Sequence, residues 1–174
     1  MKFKSLLVVG ALVSLNVVAA DEPKADPVTE AGIVKITWQD VDSYRDVKAV
    51  SDIQSRYETR TFETLTKNLN KEAAKHFKPN QKLEMVVTDV DLAGDVRPTF
   101  GATTNDLRVI KDLYPPRMTF SYKVLDGDQV IVAGDEKLTD MSFMHTTGIR
   151  SDKPLSYESK MLADWLKKSI TPQL

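Results

Sequence analysis

Cysteine is absent from the 174-residue chain. That excludes disulfides, thiolate nucleophiles and thiolate metal sites, and it excludes lipid attachment at an N-terminal cysteine. Histidine is nearly absent, with only His76 and His145. A zinc site takes three or four ligands, mostly His and Cys, and no HExxH-like spacing is present, so no metal site is expected. Both histidines read as packed or ion-paired side chains; Glu72 stands one helical turn before His76. Seven glycines and eight prolines form no phosphate-cradling loop of the G-x-G-x-x-G or Walker type. Neither a Gly-x-Ser-x-Gly elbow nor, beyond residue 20, a Ser-x-x-Lys pair is present, so no nucleophile announces itself. Charge of one sign is also lacking. The balance of 24 basic and 25 acidic residues disfavours nucleic acid as a partner, which requires concentrated positive charge. No internal repeat or low-complexity run occurs.

Long apolar runs are missing except at the start. Lys2 and Lys4 precede a mostly apolar stretch from Ser5 to Val18, and Val18-Ala19-Ala20 then meets the acidic pair Asp21-Glu22. A basic start, a short apolar run and small residues at the −3 and −1 positions define a cleavable signal peptide. Residues 1–20 are therefore expected to direct export. Cleavage removes two lysines and no acid, so the net charge of −1 becomes two units more acidic. Residues 21–31 are polar with two prolines and read as a flexible leader. Residues 32–174 are expected to form one globular domain, held by its core alone.

The expected fold class is α+β. Ile33 to Trp38 is rich in β-branched residues and reads as a strand. A helix follows, starting near Ser51 to Ser55, where Ser51…Gln54 and Ser55…Glu58 both have capping-box spacing. It stops at Pro79-Asn80. Phe62, Leu65, Leu69, Ala73 and Phe77 fall on one side of its wheel; Arg56, Arg60, Lys67, Lys71 and Lys75 fall on the other. The basic stripe reads as a solvated face. Leu83 to Leu92 is a second strand, and the intervening helix implies that the two strands are parallel. Leu107 to Leu113 is an optional strand before Pro115-Pro116. The alternation Met118, Phe120, Tyr122, Val124 marks a strand that turns at Asp126-Gly127 and returns from Val130 to Leu138. Pro154 opens a last helix with Met161, Leu162, Trp165 and Leu166 on one arc. The order β-α-β-(β)-β-β-α predicts a two-layer sandwich, with a mixed sheet of about four to five strands and both helices on one face.

Chemistry-bearing residues concentrate in the middle of the chain. Asp89-Val-Asp91-Leu-Ala-Gly94 resembles the opening of a calcium loop, but Ala93 and Phe100 stand where ligands belong. A polar strand end turning at Gly94 accounts for it better. Asp89, Asp91, Arg97, Asp106, Arg108, Asp112 and Arg117 form a candidate cluster, either structural ion pairs or a ligand site. No catalytic, cofactor-binding or metal-binding residue is assigned.

Several words in this stretch resemble a known family. They are Thr88-Asp-Val-Asp-Leu-Ala-Gly94, Asp106-Leu-Arg-Val-Ile-Lys-Asp-Leu-Tyr-Pro-Pro-Arg117, Glu136-Lys-Leu-Thr-Asp140, Leu155-Ser-Tyr-Glu158 and Trp165. Together they resemble the exported bacterial proteins grouped as domain of unknown function 3016, over roughly residues 33–168. The turn at Asp126-Gly127 is shorter than that pattern. The resemblance implies a Gram-negative periplasmic protein and carries over no activity, cofactor or catalytic residue. The leading expectation is a non-enzymatic binding or interaction module of the cell envelope, with an envelope protein or small ligand as partner. The alternatives are a hydrolase acting on envelope material through Asp89, Asp91 and Asp112, and a structural or stress-protective envelope protein.

Overall fold

In a computed structural model of the chain, residues 25–50, 52–97, 107–145 and 153–174 are described. The expected signal peptide lies outside them. A five-stranded mixed sheet carries two helices, as expected for an α+β sandwich. The strands are β1 (Val28–Ala31), β2 (Val34–Trp38), β3 (Gln81–Asp91), β6 (Arg117–Asp126) and β7 (Gln129–Thr139), side by side in that order. Helix α1 (Gln54–Ala73) connects β2 to β3, and these two strands are parallel. The other pairings are antiparallel. Two short strands, β4 (Asp95–Arg97) and β5 (Leu107–Val109), form a separate hairpin-like arm. Helix α2 (Ser156–Trp165) closes the fold and widens into a π-helical turn over Leu166–Ile170.

Alternation along the strands decides which face is covered. Val34, Ile36 and Trp38 of β2 are buried while Lys35 is exposed. Trp38, Val87, Phe120 and Glu136 stand in one cross-strand row. Phe62 of α1 stacks on Trp38 with ring centroids 4.2 Å apart. Trp165 of α2 meets Phe120 edge-on at 4.9 Å and donates its indole N–H to Glu136 at 3.2 Å. Both helices therefore cover the face that carries this row. Neither helix supplies the other face, where Glu30–Lys35 and Glu84–Lys123 form ion pairs along a neighbouring row.

Three expectations are corrected. The leader was expected to extend to residue 31, but Val28–Ala31 is an edge strand. Its residues are exposed or half-buried, so no apolar alternation announces it. Its anchor is polar: Thr29 Oγ1 accepts the Trp38 indole N–H at 2.8 Å and lies 2.6 Å from Thr66 Oγ1. The turn into β2 is Gly32, with φ +53°; a Cβ there would lie 2.6 Å from the Asn70 carboxamide oxygen, which accepts the Ile33 N–H. Second, the Ser55…Glu58 capping box does not form, because Ser55 already lies inside the helix; Ser51 lies outside the described residues. The residue before α1 is Ile53, with no side-chain cap. Gln54 instead donates to the Val47 carbonyl at 2.6 Å and accepts from the Ala49 N–H at 2.8 Å, tying the preceding loop to the helix. Third, the optional strand is short and joins β4, not the main sheet.

The basic side of α1 is laced with acids. Lys67 pairs with Glu63 at 2.9 Å, Arg60 with Asp52, and Lys75 with Glu72 at 2.6 Å. Burial alone would raise the Glu72 carboxyl. Hydrogen bonds from Lys75, Lys167 and His76 outweigh it and hold the group at about 2. The His76 ring lies against the same carboxylate, its Nε2 3.3 Å from Glu72 Oε1.

A candidate binding cleft beside Arg108

Four parts of the chain build a cleft of about 570 Å³. The floor is a stripe of α1: Tyr57, Arg60, Thr61 and Thr64, at the i, i+3, i+4, i+7 spacing that puts side chains on one helical face. One wall is the β4–β5 arm. Val96 and Arg108 are cross-strand partners there, and both line the cleft. The other wall is Pro154-Leu155, at the entrance to α2, and Lys48 stands at the loop before α1. No carboxylate lines the cleft among the described residues.

The arm is aimed by Gly94. Strand β3 runs on into buried Leu92 and Ala93, then turns at Gly94 with φ +86°. The Gly94 N–H donates to the Tyr114 carbonyl at 3.0 Å. A Cβ at this position would lie 2.7 Å from the Val109 carbonyl oxygen, so only glycine lets the two arm strands approach. The turn reading of Gly94 holds. Among the described residues no group of three or more potential ligands could hold a metal ion.

Arg108 is fixed from several sides. Its Nη1 donates to Asp46 Oδ2 at 2.5 Å and to the carbonyls of Ala93 and Gly94 at 3.3 and 3.4 Å. Its Nη2 donates to the Tyr57 hydroxyl at 3.2 Å. Both ion-pair partners are mostly buried, with side chains 22% and 23% exposed. Burial pushes the Asp46 carboxyl up, further than Arg108 draws it down. Asp46 itself is held where its N–H reaches the Val90 carbonyl, beside Tyr44, whose hydroxyl donates to the Val87 carbonyl at 2.8 Å.

Beneath the arm lies Glu158, only 2% exposed. Its Oε1 accepts the Ala93 N–H at 2.7 Å; its Oε2 is buried with no hydrogen-bond partner among the described residues. Burial raises this carboxyl despite the Ala93 N–H and the nearby Arg108 charge. The entrance residue Leu155 adopts a left-handed conformation, φ 56°, that non-glycine residues seldom take. Its carbonyl accepts both the N–H and the hydroxyl of Ser159, at 3.0 and 2.6 Å.

The structure divides the predicted cluster. Of its described members, Arg108 alone enters the cleft. Asp91 and Arg117 face each other on β3 and β6, and burial together with the Asp46 charge raises Asp91. Asp89 pairs with Arg45 at 3.3 Å. Arg97 pairs with its strand neighbour Asp95 at 3.3 Å and is exposed. Asp112 is exposed on the loop after β5, and Asp106 lies outside the described residues. Asp89, Asp91 and Asp112, the carboxylates considered for hydrolysis, do not line the cleft. Sequence reasoning missed Asp46, Tyr57 and Glu158. The α1 stripe was legible as a helical spacing, but Tyr57 and Thr61 sat between the apolar and basic sides and drew no attention.

The words carrying the family resemblance now have places in one fold: the end of β3 with its Gly94 turn, β5, the start of β6, the end of β7, and α2. A family model covers residues 32–168, nearly the whole described fold. The chain belongs to the DUF3016 family. Its description is "protein of unknown function", so membership brings a fold-length pattern and no activity. In this DUF3016 chain the cleft, the arm and the Asp46–Arg108 pair all fall inside the matched region. No curated protein and no solved structure matches the chain. No helix among the described residues is long and apolar enough to cross a membrane.

Proposed function

We propose that this protein is an exported, non-enzymatic binding module of the bacterial cell envelope, and that its ligand seat is the cleft beside Arg108. Export follows from the signal peptide read in residues 1–20. The binding reading is carried by one observation: a cleft large enough for a small molecule closes on an arginine held by four groups, while the conspicuous carboxylates lie elsewhere. Pockets of 300–1,000 Å³ with few fixed polar groups are the usual form of small-ligand sites. Pre-positioned polar groups favour binding because less side-chain freedom remains to be lost.

The test is an amide NMR titration of the mature protein with a low-molecular-weight extract of the host envelope. Shifts confined to the α1 stripe, the arm and the start of α2 are expected. Arg108→Ala should abolish them, and Arg117→Ala, outside the cleft, should not. A spectrum indifferent to the extract would defeat the reading.

A further inference from the structure

The lining of the cleft indicates what kind of molecule fits, and this inference rests on the cleft being the ligand seat. We infer that the ligand is an amphiphilic anion, with a carboxylate or phosphate head on an apolar body.

The head is specified by the cations. Lys48, Arg60 and Arg108 line the cleft and no acid does, among the described residues. Arg108 is matched by Asp46, whereas Asp52 is shared between Arg60 and Arg56. Lys48 has no ion-pair partner among the described residues, so the described lining carries positive charge that an added anion would balance. Arg108 also keeps donor capacity. Asp46 and the two carbonyls occupy Nη1, and Tyr57 takes one N–H of Nη2. Its Nε–H meets no acceptor among the described residues. A planar guanidinium with free N–H groups recognises carboxylate and phosphate oxygens with directional, charge-assisted hydrogen bonds. The body is specified by Val96, Pro154, Leu155 and the ring of Tyr57, which make the remaining wall mainly hydrocarbon. A sugar would leave this wall unused.

The experiment varies the head on a constant chain. Decanoate, decyl phosphate, decanol and decyltrimethylammonium, each below its micelle-forming concentration, are titrated into the mature protein and followed by amide NMR. Both anions, or one of them, should bind with shifts at Tyr57, Thr64, Val96 and Leu155; which one binds tighter separates carboxylate from phosphate. Decanol should bind at least tenfold more weakly, and the cation not measurably. Arg108→Gln should weaken the anions at least tenfold while leaving decanol unchanged. Lys48→Glu, which leaves the Asp46–Arg108 pair intact, should weaken them several-fold and keeps the test valid if the arginine variant unfolds. Equal binding of all heads, preference for the cation, or no binding of any would overturn the inference. If the envelope extract moves the cleft amides and the decyl series does not, the ligand class fails and the binding reading stands. If neither moves them, both fail.

Discussion

Breaking the Asp46–Arg108 pair from one side should harm the fold, and removing both partners should nearly repair it. Taking two charges out of water is expensive, and their attraction only roughly offsets that expense. Here the opposing effects are visible in Asp46, whose carboxyl is raised by burial in spite of an arginine at 2.5 Å. Asp46→Leu leaves a largely buried guanidinium with only Tyr57 and two long carbonyl contacts. Losing one partner of a fully buried pair costs about 3–5 kcal/mol. With roughly one-fifth of each side chain exposed, about 2–3 kcal/mol is expected. Arg108→Met should cost about 1–2 kcal/mol, since the orphaned carboxyl can take up a proton. The double variant should lie within about 1 kcal/mol of wild type, a coupling of about 3–5 kcal/mol. Urea unfolding of all four proteins measures this, and the Asp46→Leu midpoint in a thermal scan should fall by about 4–10 °C. The pH dependence has a defined sign. Because the folded carboxyl lies above its ordinary 3.8, its contribution to stability is full below that value and is lost as pH rises through the folded one. Asp46→Leu should flatten that limb. A double variant as unstable as the sum of the two singles would refute the reasoning.

Trp38→Ala removes a fully buried ring, its stack with Phe62 and the hydrogen bond to Thr29, and should cost about 3–5 kcal/mol in urea unfolding. Glu72→Gln should cost about 1–2 kcal/mol at neutral pH, because Lys75 and Lys167 pair with the carboxylate and the His76 ring lies against it. The wild-type advantage should be present above the ordinary 4.5 and fade as pH falls toward about 2, so the two unfolding curves should merge in acid. Gly94→Ala forces a Cβ onto the Val109 carbonyl at a positive φ, and should raise amide hydrogen exchange in β4 and β5 while β3 and β6 stay protected.

What was legible in the sequence followed from periodicity. Val34, Ile36 and Trp38 alternate, Phe62, Leu65 and Leu69 recur at helical spacing, and Asp126-Gly127 marks a tight turn; hence the parallel β2–α1–β3 unit, the β6–β7 hairpin and a helical layer on one face were all readable. Periodicity is a local signal, and these elements exist because their own residues demand burial. Strand β1 carries no such demand. It forms because Thr29 finds the Trp38 indole on the neighbouring strand and Thr66 on the helix, contacts that need the fold to be assembled. The candidate cluster shows the same division. Composition showed that charges gather between residues 89 and 117, but which charge meets which depends on geometry. Arg108 reaches back to Asp46 and Tyr57, residues 62 and 51 positions away, because Gly94 turns the arm over α1. Asp89 and Asp91 stay outside the cleft because β3 carries them elsewhere. The sequence by itself determined the layers, through the burial each segment requires. Tertiary structure alone decided the cleft, since its floor, walls and charges come from segments that meet only when the sheet is closed by both helices.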